Sequence, residues 1–229
     1  MNKGMTEKFN ELHSFQLAMQ SKPTVAIRKM HQAMIPYGLP FVLPVRRTVE
    51  LRSPKIGGHV FFIEKGFFSL HHRRNEFDIV YSFSPSLVGL VDVYSYFYNI
   101  KNSPVHAIRA ETQCSGYKIP AGIFAQKVEE LNLWNYVFEI MAHRLMVLSA
   151  RENEFIGVNA YAMIRTMLME LWLYPEEARK TINIEQFIRH RTRLSRSMVM
   201  RVIAVLRSGG YIEVHHGKLI KMNPLPKGY

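Results

Sequence analysis

The sequence predicts an α+β chain: an all-β domain, a long connecting helix, and a small basic module of helices and a β-hairpin at the C-terminal end. Three observations carry that prediction. Between Pro40 and Pro120, short β-branched and aromatic runs alternate with Gly, Pro, Ser and Asn. Residues 132–156 contain neither Pro nor Gly. Residues 178–229 hold eleven Lys/Arg against two acids, Glu185 and Glu213, which is +9 of the chain's formal +12.

In the β region, Val60–Ile63, Phe67–Leu70, Ile79–Phe83 and Ala107–Ala110 have the composition of strands and the close spacing of a β-barrel or sandwich. Two helical segments precede them. Residues 7–20 place Phe9, Leu12, Phe15 or Gln16, and Met19 near one helical face, and Val25–Met34 forms a second helix ended by Pro36. The run Ile79–Ile100 is the one stretch resembling a membrane span, but it carries Pro85, Asp92 and four serines, so strands and a buried loop are expected there.

Along residues 132–156, Trp134, Val137, Met141, Leu145, Leu148, Glu152 and Phe155 recur by threes and fours. That is the seam of a two-stranded coiled coil with one charged position. A helix this long between two small domains has little local core to cover its seam, so pairing with the same helix of a second chain is expected; the alternative is a helix packed along its own barrel.

The C-terminal module has a legible order of elements. Ile184, Phe187 and Ile188 form the apolar stripe of a short helix opening at Ile182, and a basic turn, Arg189–Leu194, follows. Ser195 is a good N-cap for a helix running to Arg207, with Val199, Val202, Ile203 and Leu206 on one face and Ser197, Arg201, Ala204 and Ser208 on the other. Met200 lies beside that second face and Arg196 at its N-terminal edge. Gly209-Gly210 stops the helix, and Tyr211–Val214, His215–Lys218 and Leu219–Met222 are expected as strand, turn and strand. This is a helix-turn-helix followed by a β-wing, and concentrated cations on such a module point to duplex nucleic acid. A basic surface helix would explain the charge but not the succession.

Other chemistry finds little support. One cysteine, Cys114, excludes an internal disulfide and an iron–sulfur cluster and fits a reducing cytoplasm. Lys3, Glu7, Lys8 and Glu11 have no apolar stretch behind them, so no secretory signal is expected. His59, His71, His72 and His106 invite comparison with a metal-binding β-barrel, but the adjacent pair His71-His72 would face opposite sides of a strand, and no His-X-His with a later Glu is present. No phosphate loop, nucleophile with a base, or recognisable carboxylate pair occurs. Neither catalytic residues, metal ligands nor a cofactor are expected. Non-specific nucleoid or RNA binding, and a cupin-like metal enzyme with a basic tail, are the alternative functions.

The chain as a whole resembles the CRP/FNR family of bacterial transcription regulators over roughly residues 40–222. Val60–Gly66 resembles the family's strand entering a Lys-Gly turn, and Ile108–Thr112 the strand after its ligand cassette. Ala142–Leu145 resembles part of its dimer helix, and Ser195–Ile203 its recognition helix. More narrowly, the chain is similar to an enterobacterial branch associated with hydrogen-peroxide resistance. The resemblance implies a cyclic-nucleotide-binding-like β-roll (a double-stranded β-helix) over 40–131, after a helical segment at 1–39. It further implies a dimerisation helix over 132–157 and a winged helix-turn-helix over 158–229. A homodimer, double-stranded DNA and RNA polymerase are the implied partners.

The resemblance also implies where each side chain acts. Arg196, Ser197, Met200 and Arg201 would face bases; Arg189, Arg191, Arg193, His215 and Lys218 would face phosphates; Trp134, Val137, Met141, Leu145, Leu148 and Phe155 would line the dimer. One departure stands out. The family's ribose-binding Glu falls at Leu90 and its phosphate-binding Arg-Ser pair at Pro104-Val105, so cyclic nucleotide should not bind in the family's manner. An anion there would lose charge-assisted hydrogen bonds worth about 1.5–3 kcal/mol each. The aromatic cassette Val91–Ile100, with Val93, Tyr94, Tyr96, Phe97 and Tyr98, is expected to fill the barrel interior, an apolar effector site being the alternative. Cys114 is expected to be a buried, inert thiol.

Overall fold

A computed structural model describes residues 14–53, 57–74, 78–226 and 228; Phe9 and Leu12 of the first expected helix lie outside them. The chain opens with α1 (Ser14–Gln20) and α2 (Thr24–Met34), which gives way at Pro36 to a single 3-10 turn. Strands β1 (Leu39–Leu43), β2 (Thr48–Glu50), β3 (Arg52–Ser53), β4 (Gly57–Lys65), β5 (Phe67–His72), β6 (Asp78–Phe83) and β7 (Ser86–Val88) follow. Then come α3 (Leu90–Phe97), β8 (His106–Ala110), β9 (Cys114–Pro120), α4 (Ala121–Glu130) and α5 (Trp134–Phe155). The C-terminal part is α6 (Ala160–Leu173), α7 (Glu176–Thr181), α8 (Ile184–Thr192), α9 (Arg196–Ser208), β10 (Ile212–His215) and β11 (Lys218–Met222). Packing of the described residues divides the chain into a unit within 23–140 and a second unit in which residues 14–22 join those from 141 onward.

Residues 23–140 form two antiparallel sheets. One has the order β1-β9-β4-β3, with β7 also on β4, and the other β2-β8-β5-β6. Strand β4 explains how they are buried. Its apolar run lacks the usual polar alternation because both faces are covered: Phe61 and Ile63 point between the sheets, whereas Val60 and Phe62 pack under α2, α4 and the start of α5. The inter-sheet core is Leu43, Leu51, Phe61, Ile63, Phe68, Val88, Ile108, Ala110 and Cys114. At the β4–β5 turn, Gly66 has φ +109°, and a Cβ there would lie 2.6 Å from the Cys114 Sγ, so the turn needs glycine.

The expected strands at Val60–Ile63, Phe67–Leu70, Ile79–Phe83 and Ala107–Ala110 lie within β4, β5, β6 and β8. The cassette differs. Residues 90–97 form a helix, and Val91, Tyr94, Tyr96, Phe97 and Tyr98 are exposed, so they do not fill the interior. The core above occupies that space. Tertiary hydrogen bonds favour the helix: Asp92 in its first turn accepts from the His106 backbone N–H (3.0 Å) and lies 2.8 Å from the His106 Nδ1.

In the second unit, Phe15, Ile164, Leu168, Tyr174, Phe187, Val199, Ile203, Leu206 and Leu219 are buried. Tyr174 lies between Phe15 and Phe187, at ring-centroid distances of 4.6 and 5.9 Å. Its hydroxyl donates to Glu170 (2.6 Å), which also holds a buried ion pair with Arg191.

Candidate DNA interface

Local capping chemistry builds the module. Asn183 caps α8, its side chain accepting from the backbone N–H groups of Glu185 (3.0 Å) and Gln186 (3.1 Å). The helix then runs through Thr192, further than expected, so Arg189, His190 and Arg191 are helical and the turn proper is Arg193-Leu194, with Arg193 at φ +60°. Ser195 caps α9, accepting from the Met198 N–H (3.3 Å), as its position predicts. The glycine pair Gly209-Gly210 ends it. The wing is an antiparallel pair, Ile212↔Met222 through His215↔Lys218, turned by His216-Gly217. Gly217 ties wing to helix: its carbonyl accepts from the Ile184 N–H (2.9 Å), and at φ +74° a Cβ on it would lie 2.5 Å from the Asn183 Nδ2.

Helix α9 is divided as its periodicity predicts. Val199, Ile203 and Leu206 are buried, and Val202 half-buried, while Arg196, Ser197, Met200, Arg201 and Ala204 are exposed. The hydroxyls of Ser195 and Ser197 are 3.1 Å apart. Around this face, Arg193 and His215 are exposed, Arg189 is half-buried beside Glu185 (2.9 Å), and the Lys218 Nζ donates to the Thr181 carbonyl (2.6 Å). Arg191 is elsewhere. It was expected on phosphate, but its side chain is buried in the Glu170–Tyr174 cluster and cannot reach a ligand. The sequence carries that signal, because Ile184, Phe187, Ile188 and Arg191 continue one i, i+3, i+4, i+7 stripe.

On α5, Trp134, Met141, Leu145 and Leu148 are exposed, at 50, 36, 71 and 50 %. Val137 is turned the other way, packed with Leu133 and Ile140 on the core of its own unit, and the residue that continues the exposed stripe is Phe138, 74 % exposed. The outward spacing 134, 138, 141, 145, 148 is a cleaner heptad than the expected one. Phe155 is half-buried, with the Arg151 guanidinium 5.9 Å from its ring.

Elsewhere, Leu90 packs partly against the core beneath α2 and α4, and Pro104 and Val105 lie in the loop before β8. Among the described residues no three His, Cys, Asp or Glu side chains gather as metal ligands, and no helix is long and apolar enough to cross a membrane.

Residues 160–227 match the family model for a winged helix-turn-helix DNA-binding domain. Over 208 residues, 91% of this chain and 98% of its relative, the sequence is 33% identical to the inhibitor of hydrogen peroxide resistance of Escherichia coli K12. The chain belongs to the inhibitor of hydrogen peroxide resistance family. The Salmonella typhimurium member is 32% identical over 209 residues, again 91% of this chain and 98% of the relative.

Solved structures place the family member's fold among the CRP/FNR regulators. The c-di-GMP-responsive global regulator CLP of Xanthomonas campestris aligns with a TM-score of 0.68 at 14% identity, covering 86% of this chain and 100% of that one. A CRP/FNR-family regulator from Eubacterium rectale gives 0.63 at 14% identity over 85% and 90%, and a cyclic nucleotide-binding domain protein from Listeria monocytogenes 0.58 at 13% over 86% and 96%.

Cys114 is fully buried, its Sγ 3.5 and 3.4 Å from the carbonyls of Phe67 and Thr112. Burial, reinforced by the nearby Glu111 carboxylate, pushes its pKa up to about 11. The reactive thiolate is therefore suppressed near neutral pH.

Proposed function

We propose that the protein is a cytoplasmic, dimeric, sequence-specific transcription regulator that works without cyclic nucleotide and acts in the response to hydrogen peroxide. The observation that carries this reading is α9: one face fixed in a core, and the opposite face offering Arg196, Ser197, Met200 and Arg201 to solvent on an N-capped helix. Two such helices would enter successive major grooves about 34 Å apart. There Arg196 and Arg201 would bond guanine O6 and N7, and Ser197 and Met200 would meet polar base edges or a thymine methyl. Arg189, Arg193, His215 and Lys218 would set the register on phosphates. Arg191 supports the scaffold instead.

Dimerisation through the exposed α5 stripe supplies the second α9, and RNA polymerase is the partner through which bound protein would act on transcription. Pro104 and Val105 stand where the resembling family has its phosphate-binding Arg-Ser pair and Leu90 at the ribose contact, and the neighbouring Arg52 already donates to the Ser103 hydroxyl (2.9 Å).

Mapping bound genomic sites in cells with and without peroxide tests the reading, followed by gel shifts of one bound fragment against random duplex over a salt series. Discrete sites whose occupancy changes with peroxide, and a bound fragment preferred over random duplex at every salt concentration, are expected. Equal affinity for both duplexes would mean a non-specific binder.

A further inference from the structure

Only two acids lie within residues 178–229, and one of them, Glu185, lies against two cations of the candidate interface. Glu185 is in the first turn of α8, and its Oε1 is 2.9 Å from Nη1 of Arg189 and 3.9 Å from Nε of Arg196. Its side chain is 15 % exposed, against 39 % for Arg189 and 75 % for Arg196. The carboxylate is thus tucked beneath two cations that reach further into solvent. Its backbone is pinned by the Asn183 cap, and the adjoining Ile184 N–H by Gly217, so the anchor itself is fixed.

We propose that Glu185 is a positioning residue that determines specificity through Arg196, an inference that rests on α9 being the base-reading helix. An arginine approached by a carboxylate at Nε is biased toward one orientation of its guanidinium, and its two terminal nitrogens remain to donate to a guanine edge. The same oxygen engages Arg189 and so draws it away from phosphate. A carboxylate beside a polyanion also opposes binding that rests on charge alone. Glu185 therefore lowers affinity for random duplex while sharpening the reading by Arg196, and both effects raise the ratio of specific to non-specific binding.

The test is Glu185→Gln, which keeps the shape and removes the charge, assayed beside Arg196→Ala and the double variant in the full-length protein on a randomised duplex library and a salt series. Glu185→Gln should raise affinity for random duplex about threefold to tenfold and steepen its salt slope by about one, as Arg189 turns to phosphate. Preference at the base pair read by Arg196 should fall about tenfold. In the Arg196→Ala background Glu185→Gln should change base preference no further. A melting curve within a few degrees of the parent is expected, since Gln keeps the shape of Glu185 and leaves the Asn183 cap in place. If Arg196→Ala loses preference and Glu185→Gln keeps it, the positioning role is wrong and α9 remains the reader. If Arg196→Ala itself leaves preference intact, the reading of α9 fails and the role of Glu185 falls with it.

Discussion

Replacing Leu145 and Leu148 together by Glu should separate the proposed dimer without unfolding either chain. The two side chains are 71 and 50 % exposed on α5, so what they lose by substitution lies in the association and hardly in the monomer. Full burial of a leucine side chain stabilises by about 1.5–3 kcal/mol, and scaled to these exposures the pair contributes about 2–4 kcal/mol per chain when the seam closes. Two-fold symmetry counts that loss twice, and four carboxylates then face one another along the seam. A loss of even about 4 kcal/mol weakens the dissociation constant roughly a thousandfold. Glu and Leu have similar helix propensities, and exposed substitutions usually stay within about 0.5 kcal/mol, so circular dichroism and thermal melting should be almost unchanged. Sedimentation velocity over micromolar concentrations should show monomers where the parent is dimeric, with operator binding weakened in parallel. An unchanged dimer would refute the α5 seam.

Further outcomes follow from named contacts. Cyclic AMP and cyclic GMP at millimolar concentration should give no heat of binding in calorimetry, because Leu90, Pro104 and Val105 replace the resembling family's ligand partners and the nearby Arg52 is engaged by Ser103; a saturable micromolar isotherm would place the ligand site elsewhere. Gly217→Ala should lower the melting temperature, by about 1–3 kcal/mol of stability, since it combines an unfavourable positive φ with displacement of the Asn183 cap; a melt equal to the parent's would show that the wing and α8 are not coupled there. Cys114 should resist peroxide in the native state and be oxidised when unfolded in urea, as read by mass spectrometry. The neutral thiol is the favoured form in the fold, so its contribution is fully present below the unfolded pKa and is lost as pH rises toward about 11. Stability measured against pH should therefore fall above the ordinary thiol range in the parent and fall less in Cys114→Ala.

How much of this was legible in the sequence depends on what fixed each element. The helix-turn-helix and wing were readable because local signals bound them: Ser195 as a cap, Gly209-Gly210 as a stop, and a stripe of Val199, Ile203 and Leu206 with cations opposite. Helix α6 was not read, since Ala162, Met163, Met169, Trp172 and Leu173 add apolar groups around its buried stripe of Tyr161, Ile164, Met167, Leu168 and Leu171 and blur it; Glu170 within that run was the hint of a buried partner for Arg191. The cassette misled because Tyr, Phe and Val favour strands, whereas the bonds from Asp92 to His106, distant in sequence, favour α3. At the start of α5, Val137 and Ile140 continue an apolar stripe from Leu133 just before it, and Trp134, Phe138 and Met141 form another, displaced by one residue. Spacing alone does not say which faces the chain's own core.

Whether α9 reads base sequence is decided by Arg201→Ala measured with the parent on a library of randomised half-sites. Arg201 is exposed on the face opposite Val199, Ile203 and Leu206. Its loss should cost about 1–3 kcal/mol and relax preference at one base pair, leaving the base pair read by Arg196 strict. A uniform loss of affinity over all sequences, with every base preference intact, would contradict it and make Arg201 a phosphate contact.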